Sequence, residues 1–179
     1  DGRPIHGLRP DQVCALGIGR TFQIVKPFAS LSVLDNVVVG ALQRCSGVKE
    51  ARHVATTILE ELRLDSKRDL PASSLTLPDR KRLEIARALA TRPILLLLDE
   101  VMAGLRPTEC DDWVATCREI HQREGLTILL IEHVMRAVMA LAEKVVVLDS
   151  GEVIAQGTPE QIVHEPAVLQ CYLGEETEI

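Results

Sequence analysis

Residues 94–100 read ILLLLDE, an aliphatic run that ends in two adjacent carboxylates, Asp99 and Glu100. An unbroken run of this kind predicts a strand buried on both faces of a parallel sheet, because a half-buried strand would alternate apolar and polar residues. Ligands of doubly wound sheets bind beyond the carboxyl ends of the strands, where both carboxylates would lie. Asp99 could hold Mg²⁺ and Glu100 could orient or deprotonate a water. A core strand with a merely solvated end is the alternative.

The composition limits the classes of protein and partner that fit this chain. Hydrophobic residues make up 46% of the 179 residues but aromatic residues only 2%, so the core must be aliphatic, as in α/β proteins. The formal net charge of −6 disfavours a broad nucleic-acid surface, and we expect no nucleic-acid partner. Five cysteines without a C-x-x-C pair indicate a reducing, cytosolic compartment and no zinc site. We also expect no signal peptide, and no apolar stretch approaches the ~18 residues of a membrane-spanning helix.

The second half of the chain alternates apolar strands with helices, and this alternation predicts a parallel sheet. Thr108, with Asp111 three residues later, is the predicted cap of the first of these helices. Another helix is expected to start at Thr158, because Pro and Gln follow at the favoured positions. The predicted strands are 94–98, 127–131 and 145–148, and 127–131 is expected to be a second buried strand. The helices predicted between these strands are 108–124 and 134–142.

The first half is predicted to be mostly helical after an opening loop over residues 1–12 and a short apolar element that ends near Gln23. Ser32 and Asp35 have the spacing of a capping box before a helix. The basic run 80–82 is expected to be a solvated helix face, with a nucleotide or partner contact as the alternative. The predicted helices are 33–43, 49–64 and 78–91, the last of which would bury Leu83, Ile85, Ala86 and Leu89.

Five short motifs occur in the order found in the ATP-binding subunits of ABC transporters, which the chain resembles over essentially its whole length. Gln23 in RTFQ resembles the Q-loop glutamine, and LTLPDR at 75–80 stands where the signature motif lies. Asp99 and Glu100 resemble the Walker B aspartate and the catalytic glutamate. AGLRP at 103–107 resembles the D-loop, and His133 in LLIEH resembles the switch histidine. Each motif alone is weak, but five in order are specific.

Within that family, LGIGRTFQ and the closing YLGE look most similar to the ATPases of branched-chain amino-acid importers, although importers of urea or short amides share these patterns. The resemblance implies an α/β fold, a partial P-loop NTPase core with a mainly parallel sheet and an inserted helical subdomain. Residues 1–23 would end the N-terminal core part at the Q-loop. Residues 24–90 would form the helical subdomain with the signature motif, and residues 91–179 the α/β core with Walker B, D-loop and switch histidine.

The resemblance also implies the site residues, with ATP and Mg²⁺ as the bound groups. Glu100 would act as general base or water positioner, and His133 would contact the γ-phosphate. Outside this family context, Gln23 and His133 would more often be ordinary polar residues at element ends. By the same resemblance, Asp99 and Gln23 are the candidate metal ligands, and Gln23, Thr76, Pro78 and Gly104 the candidate nucleotide contacts.

Two departures from the family pattern concern phosphate binding. No G-x-x-x-x-G-K-[ST] motif occurs, and none of the 11 glycines precedes a lysine. Because this loop precedes the Q-loop in the family, we expect a truncated piece of a longer protein, with a naturally loop-less relative as the alternative. In the signature, Thr76 and Pro78 replace the usual Ser and Gly. Thr76 keeps a hydroxyl, but Pro78 offers no N–H and Asp79 adds negative charge, which should weaken γ-phosphate binding.

The resemblance implies a parent protein that hydrolyses ATP to power import, whereas this chain alone should be inactive without the phosphate loop. Composite sites in the family imply a dimer with a second ATPase subunit, docked on membrane permease subunits at the cytoplasmic face of the cell membrane. Residues 24–90 would face the permease. The rival class is a nucleotide-incompetent, ABC-like interaction module. A DNA-repair or translation ATPase of the same superfamily fits less well, given the charge of −6 and the lack of long heptads.

Overall fold

A parallel sheet forms the centre of the first of two compact units, residues 1–131 and 132–179. The computed structural model describes residues 2, 4–23 and 25–173. The sheet contains β1 (Ile18–Arg20), β2 (Leu95–Asp99) and β3 (Thr127–Ile131), with β2 in the middle and parallel to both neighbours. The predicted strand after Pro93 and its parallel pairing are therefore confirmed.

The prediction of burial on both sheet faces is wrong in part. Leu96 and Leu98 of β2 are almost fully buried, whereas Leu95 and Leu97, which point the other way, are only half-buried. In β3, which was also predicted to be buried, Leu129 and Ile131 are more than half exposed. The aliphatic composition reports the hydrophobicity of a strand, but it does not report whether an element covers each of its faces.

Five α-helices complete the described part of the first unit: α1 (Pro10–Ala15), α2 (Val33–Ala41), α3 (Val48–Glu61), α4 (Leu77–Ala90) and α5 (Pro107–Glu124). Two short 3₁₀ turns, Asp65–Lys67 and Ala72–Ser74, lie between α3 and α4.

The helix starts follow the local cap chemistry, which corrects two predictions. The predicted loop at 1–12 already contains the start of α1, because Pro10 occupies a first helical position that proline favours. Likewise α5 is capped at Arg106 rather than Thr108, since Pro107 takes the first position and the Glu109 carboxylate accepts from the Arg106 N–H at 2.8 Å. The cap of α2 is confirmed, with Ser32 Oγ accepting from the backbone N–H of its third residue.

The helices α2, α3 and α4 pack on one another. The contact between α2 and α4 requires a glycine, because a Cβ at Gly40 would lie 2.5 Å from the carbonyl oxygen of Arg87. The four apolar side chains predicted to be buried in α4 are buried. The prediction of a solvated basic face is wrong for Lys81, which is only 5% exposed.

The second unit contains α6 (Met135–Leu141), β4 (Val145–Asp149), β5 (Glu152–Gly157), α7 (Pro159–Ile162) and α8 (Pro166–Leu173). Parallel pairing was predicted for 145–148 and is wrong, because β4 and β5 form an antiparallel hairpin. Ser150 and Gly151 connect them with φ values of 48° and 85°, the positive angles of a tight hairpin turn. The core of this unit is Val145, Val147, Ile162 and Val168. Among the described residues, no helix is long and apolar enough to cross a bilayer.

Candidate functional site

The carboxyl ends of β1 and β2 lie side by side because the two strands are parallel, and this places the candidate residues at one edge of the sheet. Beyond β1, the Thr21 N–H donates to the Leu97 carbonyl at 3.0 Å, and the Asp99 N–H donates to Thr21 Oγ1 at 3.3 Å. Arg20 pairs with the Asp99 carboxylate at 3.3 Å. The backbone that leads to Gln23 is thus fixed against the strand that ends in Asp99.

Two of the predicted site residues contact each other directly. The side-chain amide of Gln23 donates to a carboxylate oxygen of Glu100 at 2.6 Å. Gln23 is otherwise exposed, so its orientation depends on this contact and on the backbone before it. The structure therefore brings Gln23, Asp99 and Glu100 together at the strand ends.

The backbone of Glu100 is strained, with a φ of 47° that non-glycine residues rarely adopt. Its N–H donates to the Ile131 carbonyl at 2.9 Å. Its carbonyl accepts from the Ala103 N–H at 3.2 Å and from the Lys81 ammonium, also at 3.2 Å. Contacts on both sides of the peptide hold the conformation that presents the Glu100 carboxylate to Gln23.

The signature segment forms a separate polar cluster at the start of α4. Thr76 precedes the helix, and its hydroxyl donates to the Asp79 carboxylate at 2.7 Å. The Lys67 ammonium pairs with the same carboxylate, and Arg82 lies 3.9 Å from it. Burial acts to raise the pKa of Asp79, but the hydrogen bonds from Lys67 and Thr76 and the nearby positive charges lower it overall. The negative charge of Asp79 is therefore compensated by Lys67 and Arg82. The hydroxyl proton of Thr76 is already used in the hydrogen bond to Asp79.

Gly104 has a φ of 75°, which explains why a glycine stands in the loop between β2 and α5. A Cβ at this position would lie 3.4 Å from a methyl group of Leu77. Gly104 therefore lies next to the signature segment, in which Pro78 occupies the first turn of α4. His133 belongs to the second unit, where it is exposed and lies between β3 and α6 in the chain.

A cleft of about 620 Å³ opens beside the strand ends. Its walls combine Gln23 and Asp99 with residues of α2 and α4. Glu84 is the most buried acid of the cleft, and burial raises its pKa although the Phe22 N–H and two nearby cations oppose the rise. The remaining lining residues are Arg20, Phe22, Lys26, Val39, Gly40, Arg87, Ala88 and Thr91.

Sequence reasoning missed Arg20, Lys81 and Glu84 as parts of this site. One signal was available for Lys81, because it stands four residues before Ile85 and shares the helix face that was predicted to be buried. Arg20 and Glu84 offer no comparable pattern, since their partners are far away in the chain.

The donor set fits a Mg²⁺ ion. A carboxylate and a side-chain amide oxygen, from Asp99 and Gln23, are the hard oxygen ligands that this ion takes. Magnesium usually binds through one or two protein oxygens together with water and substrate phosphates. In the described part of the chain no cluster of three or more His, Cys, Asp or Glu side chains could hold a metal, so a dedicated protein cage is not available there.

Comparison with known proteins places this chain in a family. A family model for ABC transporters matches residues 1–103, and one for branched-chain amino acid ATP-binding cassette transporters matches residues 152–178. BraF of Pseudomonas aeruginosa, a high-affinity branched-chain amino acid transport ATP-binding protein, is 36% identical over 98% of this chain and 74% of its own length. LivG of Escherichia coli K12, of the same description, is 38% identical over 96% of this chain and 73% of its own length.

A solved ATP-binding cassette of an ABC transporter has the same fold, with a TM-score of 0.82 and 29% identity over 94% of this chain and 73% of that one. This likeness confirms the predicted fold class, a partial P-loop NTPase core of the ABC type. With the sequence matches, it also confirms the predicted resemblance. The chain belongs to the ABC transporter family.

Proposed function

We propose that this chain is the ATP-binding and ATP-hydrolysing part of an importer for branched-chain amino acids or similar small solutes. The observation that carries the proposal is the 2.6 Å contact between Gln23 and Glu100, next to the Asp99 carboxylate at the strand ends. Family membership implies nucleotide binding. The substrate class is supported by BraF and LivG, which are branched-chain amino acid transport ATP-binding proteins, and by the family match over residues 152–178.

The proposed reaction is transfer of the γ-phosphoryl group of ATP to water. Glu100 orients the water and accepts its proton while the water oxygen bonds to the γ-phosphorus. The bond from that phosphorus to the bridging oxygen breaks, and ADP and phosphate leave. Gln23 holds the Glu100 carboxylate in place, and His133 contacts the γ-phosphate. Little covalent chemistry is asked of the protein, so the rate gain depends on positioning and electrostatics.

Asp99 and Gln23 would hold the Mg²⁺ ion. When bound, the ion neutralises charge on the phosphate oxygens. Arg20 pairs with the Asp99 carboxylate at 3.3 Å, and both residues line the cleft.

The partners follow from the family's composite sites. Thr76, Pro78 and Gly104, which lie close together, would face the nucleotide of a second ATPase subunit. We further propose that residues 24–90 face membrane permease subunits, that 1–23 and 91–179 form the core parts, and that the protein is peripheral on the cytoplasmic face of the membrane. The net charge of −6 gives no support to a nucleic-acid partner.

A second candidate function is a nucleotide-incompetent ABC module. It is favoured by one observation, the donation of the Thr76 hydroxyl to Asp79, which leaves that proton unavailable to a phosphate. Pro78 adds to this, because it has no N–H to offer at the helix start.

We expect the 179-residue chain alone to hydrolyse ATP at a negligible rate, because no Gly-rich loop with its lysine is present in the sequence. The measurement compares Mg²⁺-dependent phosphate release by the chain with that by a phosphate-loop hybrid. This hybrid is the chain preceded by a G-x-x-x-x-G-K-[ST] segment from an ABC transporter ATPase. Turnover should appear only in the hybrid. Robust turnover by the chain alone, lost in Glu100→Gln, would contradict the expectation, while turnover insensitive to Glu100→Gln would identify a contaminant.

A further inference from the structure

Two charged side chains of α4 are buried, Lys81 at 5% and Glu84 at 8% exposure. Charged groups are rarely buried without partners, because their desolvation is costly. Both side chains lie on one helix face, three positions apart, and both reach backbone atoms of loops that lie outside the helix. Neither is part of the catalytic set that the family resemblance implies.

Glu84 fixes the loop that carries Gln23. Its carboxylate accepts from the backbone N–H of Phe22 at 2.8 Å, one residue before Gln23. The adjacent Gln23 side chain then donates to Glu100 at 2.6 Å. The position of the Gln23 side chain is therefore tied to α4 through the neighbouring Phe22 peptide.

Lys81 fixes Glu100, the hydrogen-bond partner of Gln23. Its ammonium donates to the Glu100 carbonyl at 3.2 Å, at a residue whose φ is 47°. A conformation of this kind persists only when its surroundings determine it, and a charged donor is a strong determinant. These contacts form a closed set, which we call the ring. Glu84 of α4 binds the Phe22 N–H, and the neighbouring Gln23 donates to Glu100. The Glu100 carbonyl in turn accepts from Lys81 of α4.

We propose that Lys81 and Glu84 are positioning residues that hold the Gln23–Glu100 pair in register with the signature helix α4. A shift of α4 at Thr76 is thereby transmitted within one subunit to the carboxylate that activates water. The catalytic meaning of this ring rests on the proposed function, but its contacts can be tested by a measurement that needs no nucleotide.

The test is amide hydrogen exchange, read residue by residue by NMR on the 19.7 kDa chain. The ring predicts non-local effects. Glu84→Ala should speed exchange about 10-fold or more at Phe22 and also at the Glu100 amide, and Lys81→Met should do the same at both sites. Gln23→Ala, which alters only an exposed side chain and should leave the fold intact, should also speed exchange at the Glu100 amide.

Conservative variants and matched controls separate positioning from general stability. Glu84→Gln keeps an acceptor and Lys81→Arg keeps a charged donor, so both should restore slow exchange. The exposed α3 residues Lys49 and Glu60 provide the controls Lys49→Met and Glu60→Ala, which should change neither site. The proposal would be overturned if exchange became faster only at Phe22 in Glu84→Ala and only at Glu100 in Lys81→Met. Equally faster exchange at all amides would also overturn it.

A second measurement separates this inference from the proposed function. In the phosphate-loop hybrid, Lys81→Met should lower kcat for ATP hydrolysis about 10-fold or more with little change in KM, as a loss of positioning predicts. If the unmodified hybrid turns over no ATP while the exchange effects are present, the proposed function fails and the ring stands. If the hybrid is active and Lys81→Met lowers neither kcat nor exchange protection, the ring fails and the function stands.

Discussion

Replacing Glu100 by Gln in the phosphate-loop hybrid is expected to lower kcat for ATP hydrolysis about 100- to 10,000-fold, the range typical of a lost general base. The dissociation constant for ATP should change little, because the substitution keeps the size of the side chain. The amide that replaces the carboxylate can still accept from Gln23, which now donates to Glu100 at 2.6 Å. Only proton acceptance and water orientation are removed.

The measurement is single-turnover phosphate release together with equilibrium binding of ATP. Glu119→Gln, on the exposed side of α5, is the matched control and should leave both quantities unchanged. An equal loss of binding and turnover in Glu100→Gln would instead assign Glu100 a structural role. That outcome is physically reasonable at a residue with a φ of 47°, so the comparison is informative.

Truncation of Trp113 to Ala is expected to lower the free energy of unfolding of the chain by about 3–5 kcal/mol, as large-to-small substitutions of buried aromatic residues do. Trp113 is the single tryptophan of the sequence and is only 2% exposed in α5. Chemical denaturation followed by circular dichroism measures the change, since the fluorescence probe is lost with the side chain. A loss below about 1 kcal/mol would show that the site collapses or is not packed.

Trp113→Phe makes the comparison sharper. Within residues 4–23 and 25–173, the buried indole N–H of Trp113 has no hydrogen-bond partner. Removing an unsatisfied buried donor offsets part of the cost of the smaller ring, so the Phe variant should lose much less stability than the Ala variant. Equal losses in the two variants would contradict this account of the indole.

The edge of the sheet that carries the candidate site was predictable from the sequence. The aliphatic run predicts a buried strand with Asp99 and Glu100 beyond its carboxyl end, where ligands of doubly wound sheets bind. The family resemblance added Gln23 as a second metal ligand beside Asp99. The direct Gln23–Glu100 hydrogen bond was not predictable, because it depends on a side-chain rotamer and on a strained backbone angle.

Two of the errors share a physical cause, which is that composition does not reveal the partners of a side chain or a strand face. Lys81 was expected in solvent because lysine is usually exposed, yet a carbonyl 19 residues away in the chain accepts from it. β3 was expected to be buried, yet Leu129 and Ile131 are exposed. The cap of α5 was misplaced by two residues because Pro107 outweighs the hydroxyl of Thr108 as a start signal.

The central claim is that Gln23, Asp99 and Glu100 border an ATP site. The most direct measurement is a calorimetric titration of the folded phosphate-loop hybrid with ATP and Mg²⁺, using Glu100→Gln so that hydrolysis does not interfere. The account predicts one ATP bound per subunit, with a Kd between about 1 µM and 1 mM, and weaker Mg²⁺-dependent binding in Asp99→Asn. A folded hybrid that shows no ATP binding at ATP concentrations up to about 1 mM would contradict the account and favour the nucleotide-incompetent module.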